Sequence, residues 1–120
     1  MSKHHILVDF DGTLSTWHSP VSWHDDWRAI GEPIPLMVSR VKKWLAEGED
    51  VRIFTARMDG YHPKGRVPVR LIRQLIQAWC LVHIGVVLPV TNRKSYWCKA
   101  IYDDRAFQVE RDTGRVMGEE

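Results

Sequence analysis

Four aspartates have the residue type and spacing that a metal-dependent reaction would need. Asp9 and Asp11 lie two residues apart directly after an apolar run, and Asp103 and Asp104 are adjacent after another. Carboxylates gathered in one small site repel one another unless a cation compensates their charge. Hard oxygen ligands in this number suit Mg²⁺. The four residues therefore predict a magnesium site if the fold brings the two pairs together.

Other polar residues follow the predicted strands and suit the handling of a phosphoryl group. Thr55 supplies a hydroxyl directly after the second predicted strand, and Lys94 supplies a positive charge downstream of the third. Gly12 permits close approach of the backbone to a ligand. The amides near Asp11, Ala56 and Arg57 are expected to form a nest for an anion. Carboxylate, Mg²⁺, hydroxyl and lysine together predict a phosphoryl-transfer site.

The apolar pattern places these side chains at the ends of strands that alternate with helices. Helical spacing of apolar residues runs from Ile34 to Leu45 and from Ile72 to Trp79. Short β-rich runs predict five strands, at His5–Val8, Val51–Phe54, Val86–Leu88, Ala100–Tyr102 and Phe107–Val109. The segments Ser15–Glu32 and Met58–Val67 break both patterns and are predicted to be loops over one end of the sheet.

Strands alternating with helices are typical of parallel βαβ units with right-handed crossovers. The predicted fold class is α/β, a three-layer Rossmann-like domain whose central parallel sheet has about five strands, with the Asp9 strand in a central position. The polar strand ends then meet at one edge of the sheet. We expect a single domain over residues 1–110 and a polar, frayed tail over residues 111–120.

Length and composition exclude several classes of protein. The 120 residues are 44% hydrophobic and 27% charged, which indicates one globular domain with no room for a second catalytic one. Polar residues and Pro89 interrupt the longest uncharged stretch, Gln74–Asn92, so we expect no membrane span. The first apolar run meets Asp9 too soon for a signal peptide, which favours a cytoplasmic location. A net charge of +2 does not indicate a membrane-surface binder, and we expect a monomer or weak homo-oligomer.

The sequence DFDGTL, which begins at Asp9, resembles the DxDGT signature of the haloacid dehalogenase-like (HAD) phosphohydrolases. Further matches follow in the order that the family has. Thr55 in IFTAR resembles the second motif, Lys94 the third, and the pair Asp103 and Asp104 the acidic fourth. The resemblance covers most of the chain.

The resemblance implies a phosphatase with a covalent intermediate. Asp9 is then the nucleophile that forms an aspartyl-phosphate, and Asp11 protonates the leaving alkoxide and later activates water. Mg²⁺ is implied to be held by Asp9, the backbone carbonyl of Asp11 and Asp103, with help from Asp104.

The resemblance also assigns the residues around the transferring phosphoryl group. Thr55 and Lys94 are implied to orient and neutralise it. Lys99 lies close enough along the chain to compete with Lys94 for this role, although Lys94 is preferred. The intervals between the motifs leave no room for a cap domain, so the chain resembles a capless member of the family. An open site favours large substrates or a partner that closes it.

Basic residues after the second motif indicate an anionic substrate. Lys64 and Arg66 are expected to contact it, with a solvated basic surface as the alternative, and Ala56 and Arg57 within the motif are also expected to contact it. The Ala-Arg pair and the DDR sequence ending at Arg105 resemble the phosphatase domain of polynucleotide kinase-phosphatases. The expected partner is therefore a phosphorylated small molecule or a nucleic-acid end, with preference between 5′ and 3′ phosphates left open.

Three tryptophans lie in the loop that follows the first motif, namely Trp17, Trp23 and Trp27. An indole could stack on a base, but a loop this short must also anchor itself by packing. We therefore expect most of them to be buried and at most one to contact substrate.

An alternative to the enzyme is a non-catalytic module. Such a protein would keep the HAD-like fold and the metal or phosphate site and serve a regulatory role. The intact set of Asp9, Asp11, Thr55 and Lys94 favours the enzyme, because a merely structural domain gains nothing from clustered carboxylates.

Overall fold

The computed structural model describes residues 3–17 and 21–119. In chain order, its elements are β1 (His5–Asp9), α1 (Pro35–Ala46), β2 (Val51–Phe54), a 3₁₀ helix (Ala56–Asp59), β3 (Tyr61–His62), β4 (Gly65–Arg66), α2 (Val69–His83), β5 (Val90–Thr91) and β6 (Cys98–Tyr102). β3 and β4 form a small antiparallel hairpin, and the other strands form the main sheet.

The main sheet has four strands in the order β5-β2-β1-β6, and every neighbouring pair is parallel. The prediction of a mixed α/β fold around a parallel sheet is confirmed, and β1 is an interior strand as expected. The strand count of five is wrong for the described residues. The sheet places the ends of β1, β2 and β6 at one edge.

Two of the five predicted strands lie elsewhere or do not join the sheet. Pairing next to β2 begins after Pro89, whose carbonyl accepts the N–H of Ile53, so the strand is Val90–Thr91 rather than Val86–Leu88. The run Phe107–Val109 leaves the sheet after the Asp103–Asp104 pair. Its last residue pairs instead with Val116 in an isolated antiparallel bridge.

The main hydrophobic core lies on one face of the sheet and includes both α-helices. Ile6 and Val8 of β1 point to this face, whereas Leu7, which is also fully buried, points to the other. The ring of Trp79 on α2 lies 5.0 Å from that of Phe10, and the ring of Trp44 on α1 lies 4.7 Å from that of Tyr102. Among the described residues, both α-helices therefore cover the same face, and the second helical layer of the predicted three-layer domain is not seen.

The opposite face is crossed by the segment 92–97, which connects β5 to β6. A right-handed crossover in this direction passes over the face away from the helices. The contacts agree, because the N–H of His5 donates to the carbonyl of Trp97 and the Oγ of Ser95 lies 3.3 Å from the Nε2 of His5. Six residues reach on the order of 20 Å when extended, enough to cross the strands but too few for a helix as well.

Both helices follow the predicted apolar spacing. α1 begins with Pro35 in its first turn and buries Met37, Val38 and Val41. Gly48, with φ of 85°, follows its end and permits the left-handed turn into β2. α2 likewise buries the apolar face predicted from Ile72 to Trp79.

Two segments are more ordered than the sequence predicts. Residues 58–67 contain the end of the 3₁₀ helix and the β3–β4 hairpin instead of an irregular loop. The tail is not frayed over its described part, because Glu110 donates its N–H to the carbonyl of Arg115, and Met117 donates its own to that of Gln108. No helix of the described residues is long and apolar enough to cross a membrane.

Candidate active site at the carboxyl edge of the sheet

The sheet gathers the sequence-distant polar residues at its carboxyl edge. Asp9 is the last residue of β1, Thr55 directly follows β2, and Asp103 directly follows β6. β1 pairs with β2 up to Asp9 and with β6 up to Val8, after a register shift between His5 and Ile6. Open parallel sheets bind ligands at this edge, because the strand ends leave a crevice there.

Three carboxylates form a cluster at the centre of this edge. One ligand atom each from Asp9, Asp103 and Asp104 lies within 4.8 Å of the others. The hydroxyl of Thr13 lies 3.4 Å from Oδ2 of Asp9 and 3.2 Å from Oδ1 of Asp104, and it accepts the N–H of Asp104. Thr13 therefore links the two segments that build the cluster, one at the end of β1 and the other after β6.

Burial raises the pKa of Asp9 to about 8, far above the ordinary value of 3.8. A hydrogen bond with the Asp104 side chain and the nearby charge of Asp103 contribute to this raised pKa after burial, while the backbone N–H of Phe10 opposes it. The cluster is thus electrostatically unfavourable when fully ionised. A bound cation would reverse this, because it favours the ionised form of each carboxyl group.

Asp11 is turned away from this cluster by a basic partner. Arg57 donates to both carboxylate oxygens of Asp11, at 2.7 Å each, from Nε and Nη2. The Arg57 side chain is only 6% exposed in this pair, and its Nη1 donates to the carbonyl of Trp27 at 3.4 Å. The carboxylate of Asp11, which the sequence places in the same small site, is not part of the described three-carboxylate group. The resemblance assigns the backbone carbonyl of Asp11, not its carboxylate, to the metal.

Thr55 is buried and caps the 3₁₀ helix, where its hydroxyl accepts the N–H of Arg57 at 3.1 Å. The N–H of Gly12 donates to the carbonyl of Ser15 at 2.8 Å. The N–H groups of Gly12 and Arg57 are therefore already bonded within the protein. Ala56 lines the cleft described below.

Gly12 has a different role from the one that the sequence predicts. Its φ is 87°, and a Cβ there would lie 2.6 Å from Oδ2 of Asp104. The absence of a side chain lets Asp104 approach the first loop and reach the cluster. Gly12 thus leaves room for the carboxylates to gather.

Four basic residues that the sequence analysis considered for phosphate or substrate binding do not line the cleft described below. Lys94 is exposed on the crossover and does not line the cleft, while Lys99 points to the opposite edge and pairs with Glu49 at 2.6 Å. Lys99 is therefore removed from competition for the phosphate role. Lys64 donates to the carbonyl of Asp25, and Arg66 does not line the cleft.

A cleft of about 940 Å³ lies over the carboxyl edge. Asp9, Asp11, Thr55, Arg57 and Asp103 all line it. Its remaining walls come from the loop after β1, the end of β2, the 3₁₀ helix, the hairpin and the segments after β5 and β6. These residues are mainly aromatic or small and polar: Trp17, Ser22, Trp23, His24, Phe54, Ala56, Asp59, Tyr61, His62, Pro63, Asn92 and Arg105. The volume is in the range of small-molecule and cofactor sites.

Sequence reasoning missed several of the residues that shape this site. Thr13 stands in the DGT motif, and its hydroxyl could have been included with the aspartates. His62 binds the carbonyl of Trp23 through Nε2 at 2.6 Å, a long-range contact that no local pattern signals. The tryptophans follow the prediction in part, since Trp23 and Trp27 are half-buried and Trp17 is exposed.

Comparisons with known proteins show the fold and no more. A solved structure of a conserved protein from Bacteroides thetaiotaomicron matches with a TM-score of 0.54 and 24% identity, over 85% of this chain and 76% of that one. No protein-family model and no curated protein matches the chain. The likeness supports the mixed α/β architecture with its parallel central sheet.

Proposed function

We propose that this protein is a Mg²⁺-dependent phosphomonoester hydrolase of the capless HAD type, acting through an aspartyl-phosphate. The observation that carries the proposal is the clustering of Asp9, Asp103 and Asp104 within 4.8 Å at the carboxyl edge of a parallel sheet. Asp11, Thr55 and Arg57 line the same cleft, so a nucleophile, a proton carrier, a hydroxyl and a cation face one space. The crossover 92–97 stands where a second helical layer would otherwise lie.

The donor set fits a hard divalent cation. Asp9, Asp103 and Asp104 would hold it, because they offer carboxylate oxygens and no nitrogen or sulfur. The raised pKa of Asp9 fits as well, since it reports negative charge that only a cation or a proton relieves. When bound, Mg²⁺ would supply charge neutralisation at the phosphoryl oxygens.

In the first step, a carboxylate oxygen of Asp9 attacks phosphorus and the bond between phosphorus and the ester oxygen breaks. The leaving oxygen takes a proton from Asp11, and the alcohol departs. In the second step, water attacks the aspartyl-phosphate while Asp11 takes its proton. Orthophosphate leaves and the Asp9 carboxylate is restored.

Arg57 governs how Asp11 takes part in these steps. Both oxygens of Asp11 are engaged by the Arg57 guanidinium. One of them must be released before Asp11 can exchange a proton with substrate or water. The same guanidinium lines the cleft and can face the phosphoryl group, which supplies a positive charge that Lys94 does not supply from its described position.

The proposed substrates are nucleotides or nucleic-acid terminal phosphates. The resemblance to polynucleotide kinase-phosphatases supports this class through Ala56-Arg57 and the DDR sequence ending at Arg105. Arg57 and Arg105 both line the cleft, which is large enough for more than a phosphate.

The direct test is release of orthophosphate from mononucleotides and from p-nitrophenyl phosphate. We expect release with Mg²⁺, and no release with EDTA or with Asp9→Asn. The matched control is Asp50→Asn at the opposite edge of the sheet, which should hydrolyse the substrates normally. Activity that persists in Asp9→Asn would disprove the proposed nucleophile.

A second candidate, a non-catalytic metal- or phosphate-binding module, is favoured by the closed Asp11–Arg57 pair. In such a module Arg57 would hold Asp11 permanently and no proton carrier would be available. Metal binding by calorimetry, without turnover over a broad panel of phosphate esters, would establish it in place of the enzyme.

A further inference from the structure

The cleft extends well beyond the carboxylate cluster, and its outer part is aromatic. We define the aromatic wall as Trp17, Trp23, Tyr61 and His62, all of which line the cleft. A phosphoryl group occupies a small part of about 940 Å³. The rest of a substrate held at Asp9 would therefore contact this wall.

Contacts between the first loop and the hairpin hold the aromatic wall in place. The Nε2 of His62 lies 2.6 Å from the carbonyl of Trp23, and their rings meet edge to face at 4.6 Å. Nearby, Nζ of Lys64 donates to the carbonyl of Asp25 at 2.8 Å. These contacts explain why Lys64 is not in the cleft: it fastens the loop to the hairpin. The wall is thus assembled before a ligand arrives.

Two rings of the wall are largely exposed to solvent, Trp17 at 46% and Tyr61 at 58%. Each has a guanidinium over it: Arg105 lies 5.1 Å from the Trp17 ring, and Arg66 lies 4.5 Å from the Tyr61 ring. Arg66 also donates to the Tyr61 hydroxyl at 2.7 Å, which fixes the ring. An exposed ring beside a cation suits a ligand that is both flat and anionic.

We infer that Trp17 and Tyr61 form a base-binding subsite, on which a nucleobase stacks while a terminal phosphomonoester of the same nucleotide lies at Asp9. Arg105, which lines the cleft, would then lie beside the sugar-phosphate part of the ligand, and Arg66 would hold the Tyr61 ring from outside the cleft. The inference rests on the proposed function only for the position of the phosphate. It assigns to Arg66 a role beside the stacking ring rather than a contact with the reacting group.

The chemistry of the wall separates this ligand from other phosphomonoesters. A sugar phosphate has no π-face for Trp17 or Tyr61, and a phosphorylated aliphatic side chain has none either. Stacking of one base on one aromatic side chain is worth about 1–3 kcal/mol, or at least about fivefold in affinity. The subsite therefore predicts a preference for nucleotides that depends on the base.

Titration calorimetry of the Asp9→Asn protein with Mg²⁺ tests this directly, because no turnover interferes. The probes are adenosine 5′-monophosphate and ribose 5-phosphate. We expect the nucleotide to bind at least about fivefold more tightly. Adding Trp17→Ala or Tyr61→Ala should weaken nucleotide binding at least about fivefold more than ribose phosphate binding, and Trp17→Phe should restore most of the loss.

Tyr96→Ala is the matched control, because Tyr96 is 90% exposed and does not line the cleft. It should leave both affinities as they are in the parent Asp9→Asn protein. Equal losses for the two probes in Trp17→Ala and Tyr61→Ala, or no detectable nucleotide binding at millimolar concentration, would overturn the base-binding subsite.

A third probe, a single-stranded oligonucleotide with a terminal phosphate, identifies the source of the nucleotide. Tighter binding than the mononucleotide, lost in Arg66→Ala, assigns the subsite to nucleic-acid ends; equal binding assigns it to mononucleotides. Failure of the subsite is distinct from failure of the phosphatase. Base-dependent binding without turnover by the wild-type protein would refute the enzyme alone, whereas turnover without base preference would refute the subsite alone.

Discussion

The two edges of the parallel sheet use the same residue types in opposite ways. At the amino edge two carboxylates have basic partners: Glu49 lies 2.6 Å from Lys99, and Asp50 lies 2.9 Å from Arg52. At the carboxyl edge Asp9 instead shares its site with two further carboxylates.

The pKa values follow this difference. A hydrogen bond from Arg52 lowers the pKa of Asp50 below its ordinary value, whereas burial raises that of Asp9 to about 8. The Glu49 and Asp50 carboxylates are therefore neutralised within the protein. In the proposed function, a bound cation neutralises the cluster of Asp9, Asp103 and Asp104.

The largest contrast is expected in turnover. Asp9→Asn should lower phosphate release by at least about a thousandfold, because it removes the attacking oxygen. Asp50→Asn removes a carboxylate of the same sheet that faces the other edge, and turnover should stay within about twofold. Comparable losses in both variants, measured as kcat on one mononucleotide, would show that the edges do not differ in function.

Two glycines with similar backbone conformations, one near each edge of the sheet, provide a second comparison of the two edges. Gly12 and Gly48 have φ of 87° and 85°, so alanine strains both by about 1–2 kcal/mol. Only at Gly12 would the new Cβ meet a cluster residue, Asp104 at 2.6 Å. Gly12→Ala should thus lower Mg²⁺ affinity about tenfold or more, as loss of a supporting contact typically does, while Gly48→Ala keeps it. Calorimetric titration with Mg²⁺ measures both affinities. Equal affinities in the two variants would show that Gly12 does not support the metal site.

The edges should also respond to pH with opposite sign. Because the pKa of Asp9 is raised in the folded state, its contribution to stability is complete below about pH 4 and is lost as the pH rises through 8. Metal-free protein should therefore lose free energy of unfolding over this range, and Mg²⁺ should restore it. The lowered pKa of Asp50 contributes above its unfolded pKa and is lost as the pH falls.

Thermal unfolding over this pH range, with and without Mg²⁺, measures both effects. Asp9→Asn should flatten the loss between pH 4 and 8, and Asp50→Asn should leave that loss in place. A wild-type curve that does not fall toward pH 8, or falls equally in Asp9→Asn, would contradict the origin assigned to it.

The smallest effect is expected at the amino edge itself. The Lys99–Glu49 pair is partly exposed, and such pairs contribute about 0–1 kcal/mol. Lys99→Met should change the free energy of unfolding in urea by less than about 1 kcal/mol and leave turnover unchanged. A strong loss of turnover would return Lys99 to the phosphate site, against its described position.

Local sequence patterns were enough to predict the site residues that lie at the ends of strands. The ends of β1, β2 and β6 could be read from apolar runs that stop at Asp9, Thr55 and Asp103, because a parallel sheet brings such ends together. The apolar runs could not show that β5 begins only after Pro89, because the start of this strand depends on its pairing with β2.

Partners that depend on tertiary contacts were outside the reach of the sequence. The Asp11–Arg57 pair joins residues 46 apart, and the Trp23–His62 contact joins residues 39 apart. Lys94 and Lys99 look equivalent along the chain, yet one lies on the crossover and the other points to the far edge. The types of these side chains were enough to predict the chemistry, but their positions in the fold decide which of them can take part in it.

Trapping with beryllium fluoride, observed by ¹⁹F NMR, tests the central claim most directly, because the adduct needs both the nucleophile and a compensated carboxylate cluster. We predict bound fluoride resonances for the wild-type protein with Mg²⁺, none after EDTA, and none for Asp9→Asn. Bound resonances that survive in Asp9→Asn, or none in the wild-type protein at saturating Mg²⁺, would contradict the account.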